Sequence, residues 1–177
     1  NAKVVAVDPR FTRTAAVADL YSPLRAGSDV AYLLGIIRYA IENKRYHDEY
    51  VKLYTNAGYV IGDKYGFDEG LFTGFSAEKK EYDKSNWAYG PDEKTKSYQV
   101  DDTLQNPRCV FQLLKKHVER YTPATVSKIC GVPEATFLKV AEVVTSTCTA
   151  DRAGTIMYAL GWTEHTTGVQ IIRAAAM

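Results

Sequence analysis

The sequence predicts an α/β, Rossmann-like fold: a three-layer domain with a mostly parallel sheet and a long Tyr- and Gly-rich insertion. Three observations lead there. A short apolar, β-branched run, Lys3-Val4-Val5-Ala6-Val7, stops abruptly at Asp8-Pro9-Arg10, and such a run reads as a strand covered on both faces. A second apolar run, Gly154–Ala159, ends in the same way at Leu160-Gly161-Trp162. Between them, apolar residues recur at helical spacing, so the connections read as right-handed crossovers over a parallel sheet. The 177 residues fit one domain, able to bury roughly 70% of its unfolded surface.

Each element has its own punctuation. Pro9 cannot donate to a strand ladder and biases Asp8 toward extended geometry, so the first strand ends with the Asp8 carboxylate at its carboxyl end. A second short strand is expected over Leu20–Leu24, closed by Ala26-Gly27. Ser28 is suited to cap the next helix, with Asp29 in its first turn where a negative charge favours the dipole. That helix places Val30, Leu33, Leu34, Ile37 and Ile41 on one face. A shorter helix is expected over Asp48–Ala57, with Val51 and Tyr54 inward.

Residues 62–106 break the pattern. Between Gly62 and Asp102 there are ten acidic and six basic residues, a net charge of −4 against +5 on the rest of the chain. So long a connection without either period reads as a functional or docking insertion. Its aromatics, among them Tyr65, Phe67, Phe72, Phe75, Tyr82, Trp87 and Tyr89, argue for order. Helical spacing returns with Val110, Phe111, Leu114, Val118 and Tyr121. Thr122 then caps a short helix that has Pro123 at its first position and Gly131 just past its end. Pro133 opens a helix carrying Phe137, Val140, Ala141 and Val144, and residues 167–177 read as a last helix.

Composition removes several function classes. A net charge of +1 with 24% charged residues describes neither a disordered chain nor a nucleic-acid-coating one. No apolar run reaches the ~18 residues of a membrane span, so direct membrane insertion is not expected. Cys109, Cys130 and Cys148 contain no CxxC pair and read as buried or idle thiols rather than metal ligands. The chain lacks GxGxxG, GxxxxGK[ST], HExxH and GxSxG motifs. His47, His117 and His165 are scattered, so neither a catalytic residue nor a metal ligand is assigned.

Asp8 is the sharpest candidate. Ligands of doubly wound sheets bind beyond the carboxyl ends of the strands, where a carboxylate can accept from ribose hydroxyls or a guanine edge. Arg10, Arg13, Thr12 and Thr14 add donors suited to phosphate, Gly27 permits close backbone approach, and Asp29 is a second carboxylate. Equally, Asp8 and Asp29 can simply cap turns while Arg10 makes a surface ion pair; spacing leaves both readings open. Gly161-Trp162-Thr163-Glu164-His165 follows the second apolar run and is expected at the same sheet edge as Asp8.

At these residues the sequence resembles a family. VDPRFTRTAAVADLYSPLRAGSDVAYL, RYTPATVSKICGVPEATFLKVAEVV and MYALGWTEHTTGVQIIRAAAM resemble successive stretches of the catalytic subunits of molybdopterin oxidoreductases. GFDEGLFTGFSAEKKEYDKSNWAY is similar to the respiratory, periplasm-facing formate dehydrogenases in particular. The resemblance covers nearly the whole chain. It implies one excised domain, residues 1–177 with the insertion at 62–106, that holds part of a bis-molybdopterin guanine dinucleotide carrying molybdenum or tungsten. Asp8, Arg10 and Thr12 would then face the nucleotide, Gly27 and Asp29 the guanosine, and Leu160, Gly161, Thr163 and Glu164 the pterin.

Glu164 stands where the family pattern leads one to expect Gln, and a carboxylate there needs a proton or a partner beside an anionic group. The metal ligand, the formate-handling His and Arg, and the cluster cysteines would lie outside these residues. The segment alone is therefore expected to be inactive and without its cofactor. Implied partners are the other domains of the subunit and an iron–sulfur electron-transfer subunit, with a periplasmic location and no nucleic acid. Two alternatives stay open: a stand-alone interaction module docking through the aromatic insertion, and a small nucleoside-binding enzyme.

Overall fold

A computed structural model describes residues 2–68, 70–92 and 97–177. The parts of the expected insertion at residues 69 and 93–96 lie outside the described residues. The chain has a mixed α/β architecture in two compact units, one formed by the residues up to His47 together with Val118–Met177, the other by Asp48–His117.

The first unit starts with β1 (Val5–Val7), α1 (Arg13–Val17), β2 (Leu20–Ser22) and α2 (Asp29–Glu42). β1 and β2 pair in parallel with Val5 opposite Leu20 and Val7 opposite Ser22. β1 ends where the sequence punctuates it, whereas β2 stops at Ser22, before Pro23 and short of the expected Leu24. The predicted cover on both faces is missing, since Ala6 is buried while Val4 and Val7 are 44% and 39% exposed. Ser28 precedes α2 without a side-chain cap bond, because its hydroxyl donates instead to Arg25 O at 2.5 Å. The buried face of α2 is Ala31, Tyr32, Leu34 and Gly35, rotated from the predicted Val30–Ile41 stripe. Small Gly35 sets the contact: a Cβ there would stand 2.6 Å from Val126 Cγ2 and 2.9 Å from Phe137 Cζ.

In the second unit lie α3 (Asp48–Tyr54), the two-residue strands β3 (Phe67–Asp68), β4 (Leu71–Phe72), β5 (Phe75–Ser76), β6 (Glu81–Tyr82), β7 (Pro91–Asp92) and β8 (Ser97–Tyr98), and then α4 (Val110–Val118), which reaches the boundary. The strands pair as three antiparallel hairpins. Tyr54 was expected inward but is 73% exposed; α3 is too short to carry it under a core and buries no residue. An aromatic cluster joins the first two hairpins, with Phe72–Tyr82 centroids 6.4 Å apart and Trp87 against both rings at 5.1 and 5.3 Å. Arg108 Nη2 donates to the Ile61, Gly62 and Tyr65 carbonyls. Asp101 accepts from Thr103 N and Oγ1 and from Gln105 N and Asn106 N. These bonds hold its carboxyl far down, at about 2.

The chain returns to the first unit through α5 (Pro123–Cys130), α6 (Glu134–Thr145), α7 (Leu160–Thr163) and α8 (Gly168–Ala175). Thr122 Oγ1 accepts from Thr125 N at 3.1 Å, and Gly131 ends α5 in the left-handed region at φ 71°, a conformation that a Cβ disfavours. α2, α5 and α6 share the core, where Leu24, Tyr32, Val126, Cys130, Val132, Phe137, Val140 and Ala141 interlock. Burial pushes the Tyr32 phenol up to about 12, and its hydroxyl is paired with Ser22 Oγ at 2.9 Å.

One predicted element is absent. Gly154–Ala159 forms no strand and its residues are exposed, with Ile156, Met157 and Tyr158 at 51%, 89% and 50%. An apolar, β-branched run becomes a strand only against a hydrogen-bonded neighbour, and among the described residues none lies alongside it. The observed parallel sheet is therefore the β1–β2 pair.

Candidate functional site

The parallel pair fixes the first half of the site. Asp8 N donates to Ser22 O at 3.2 Å, which carries the ladder one residue beyond β1. Asp8 Oδ1 then accepts from Arg10 N at 2.7 Å, turning the chain, and Tyr21 OH donates to Asp8 O at 3.0 Å. The turn engages one of the two carboxylate oxygens. Thr12 caps α1, its Oγ1 accepting from Ala15 N at 3.2 Å, and Arg10 and Arg13 are exposed.

Because β1 and β2 run parallel, the chain leaves β2 at the same edge. The loop Pro23–Ser28 brings Gly27 there with φ 83° and nothing within 4 Å of an ideal Cβ, so its face is open to a close approach. Asp29 follows in the first turn of α2, where the dipole favours its negative charge. The parallel pairing puts the Asp8 turn and the chain leaving Ser22 at one strand edge, with Arg10 and Thr12 following Asp8, and Gly27 and Asp29 following Ser22. Here the two carboxylates can accept from N–H and O–H donors, the exposed guanidinium groups can donate to a phosphate, and the glycine leaves its face unobstructed.

Leu160, Gly161 and Thr163 are different. They belong to α7, with Glu164 as its C-terminal cap, and they follow an exposed extended segment rather than a strand. Glu164 N donates to Leu160 O at 3.0 Å, and the rings of Tyr158 and Trp162 stack at 4.6 Å. α7 packs on α8, where Gly168 approaches so closely that a Cβ would stand 2.6 Å from Thr163 O. The sequence led one to expect Gly161–His165 at the same strand edge as Asp8; Gly154–Ala159 forms no strand that could carry them there.

Sequence reasoning passed over the support of the Gly27 loop. Arg25 N donates to Cys130 O at 2.7 Å, and Arg25 Nη1 to Ile129 O at 2.7 Å. Cys130 Sγ lies 3.5 Å from Ser28 O. Burial pushes the Cys130 thiol upward, and the nearby Asp29 carboxylate adds to the effect. More than a hundred residues separate these partners, and no local pattern announces them.

No family model matches the chain. Over its full length it is 55% identical to the nitrate-inducible formate dehydrogenase major subunit of Escherichia coli K12 and 49% identical to the formate dehydrogenase alpha subunit of Megalodesulfovibrio gigas. Along its whole length the chain is thus similar to formate dehydrogenase major and alpha subunits. It spans 17% of the length of each of these relatives and so corresponds to a segment of such a subunit. In fold it is similar to the acetylene hydratase of Pelobacter acetylenicus, with a TM-score of 0.59 at 23% identity, over 97% of this chain and 16% of that one. Among the described residues, no helix is long and apolar enough to cross a membrane.

Proposed function

We propose that this chain is a cofactor-binding domain, residues 1–177 with an insertion at 62–106, of a formate dehydrogenase catalytic subunit. It holds part of a bis-molybdopterin guanine dinucleotide and completes a three-layer, mostly parallel sheet with other segments of the subunit. The observation that supports the reading is the parallel β1–β2 pair, after whose carboxyl ends come Asp8 on one side and Gly27 and Asp29 on the other, in a chain with 55% identity to a formate dehydrogenase.

Asp8 and Asp29 accept from the guanine edge or the ribose, Arg10 and Thr12 meet the phosphates, and Gly27 lets the nucleotide approach the backbone. Leu160, Gly161, Thr163 and Glu164 approach the pterin end. When bound, the cofactor supplies the molybdenum or tungsten at which formate gives carbon dioxide, a proton and an electron pair. The chain's own contribution is to bind and orient. The electrons leave through iron–sulfur clusters, including those of a partner subunit, on the periplasmic side.

In the full-length subunit, Asp8→Ala and Asp29→Ala are expected to lower the guanosine monophosphate released per subunit on acid hydrolysis. Normal content in both variants would remove these residues from the nucleotide contacts. The isolated 177-residue chain is expected to show no formate oxidation, and measurable turnover would overturn that part of the reading.

A further inference from the structure

We propose that Arg25 is a positioning residue for the nucleotide edge, locking the Gly27–Asp29 turn onto the C-terminal end of α5; the inference rests on the nucleotide-binding reading above. The guanidinium donates through Nη1 to Ile129 O at 2.7 Å and approaches Lys128 O at 3.5 Å. These are terminal helix carbonyls, where the dipole places partial negative charge and a cation is favoured. Arg25's own amide donates to Cys130 O at 2.7 Å. Its carbonyl accepts from both Ser28 N at 3.1 Å and Ser28 Oγ at 2.5 Å. Cys130 Sγ closes the ring on Ser28 O at 3.5 Å.

Gly27 and Asp29 are the residues on either side of Ser28, so the ring fixes both. Gly131 ends α5 with a left-handed φ of 71°, and an ideal Cβ there would make only an ordinary contact, 3.5 Å, with Arg25 Nη2. A loop held at three backbone points presents its carboxylate and its open glycine face in one arrangement, and the binding edge gains in pre-organisation.

Arg45 separates positioning from mere stability. It makes a comparable bridge in the same unit, from Nη1 to Glu142 O at 3.2 Å and Thr145 Oγ1 at 3.4 Å, at the other end of α2. In the full-length subunit, Arg25→Ala is expected to lower the releasable guanosine monophosphate per subunit about tenfold, the scale seen when a group orienting a ligand contact is removed. Arg45→Ala is expected to lower the melting temperature comparably while leaving that content unchanged. Arg25→Lys keeps the charge at the helix end and is expected to restore part of the content; it also serves if the alanine variant fails to fold.

Equal content in Arg25→Ala and Arg45→Ala overturns the inference. If Asp8→Ala and Asp29→Ala lose nucleotide while Arg25→Ala and Arg25→Lys retain it, positioning by Arg25 is refuted and the binding site stands. If all four retain it, the site reading itself fails.

Discussion

The two units solve the same problem with different materials. The first buries aliphatic and aromatic side chains between helices: Val126, Phe137, Val140 and Ala141 are at most 1% exposed, and glycine at position 35 lets α2 approach them. The second has few regular hydrogen bonds, in hairpins of two residues per strand, and relies on ring-to-ring contacts and on two polar hubs, Arg108 and Asp101. Where a chain offers helical periodicity, packing area does most of the stabilising. Where it offers Tyr, Gly and Asp instead, specific side chains must satisfy backbone groups that no ladder satisfies.

Each unit carries one tryptophan, Trp162 in the first and Trp87 in the second, so the contrast can be tested with single-tryptophan variants. The largest effect is expected from Phe137→Ala, which empties the centre of the first core and should cost about 3–5 kcal/mol in denaturant unfolding followed at Trp162. A cost below ~1 kcal/mol would mean that the helices do not depend on that packing. Arg108→Ala should cost about 1–3 kcal/mol at Trp87, because the Ile61 and Tyr65 carbonyls lose the Arg108 donor and Gly62 O is left with Tyr65 N. An unchanged transition there would refute the hub description.

Thr122→Ala removes the α5 cap and should cost about 1 kcal/mol, seen at Trp162. The smallest effect concerns pH. Asp101 is depressed to about 2 in the fold, against an unfolded value of ~3.9. Its contribution is therefore complete above the unfolded value and is lost as pH falls from there through the folded one. Amide resonances of Thr103, Gln105 and Asn106 should titrate with a midpoint near 2, and Asp101→Asn should abolish that titration. A midpoint near the ordinary carboxylate value would show that the four bonds are not held in solution.

The elements legible in the sequence are those whose cause is local. Thr122, Pro123 and Gly131 bracket α5 because capping chemistry acts within a turn, and Pro9 ends β1 for the same reason. The Asp8 turn and the Gly27 loop reach a common edge because a parallel pair leaves no other choice. Gly154–Ala159 has the composition of a strand, but strand formation depends on a neighbour that local composition does not supply. Arg25 was illegible because its partners lie 103 and 104 residues away. The rotation of α2 came from Gly35, a residue that an apolar-spacing argument ignores.

The exposed stretch after α6 has a chemical consequence. Met157 stands at 89% exposure, and a thioether so open to solvent is readily oxidised to its sulfoxide. Burying it beneath another polypeptide would protect it. Peroxide treatment followed by peptide mass spectrometry thus turns this side chain into a recorder of assembly, its unoxidised fraction reporting how much of the stretch is covered in a larger particle.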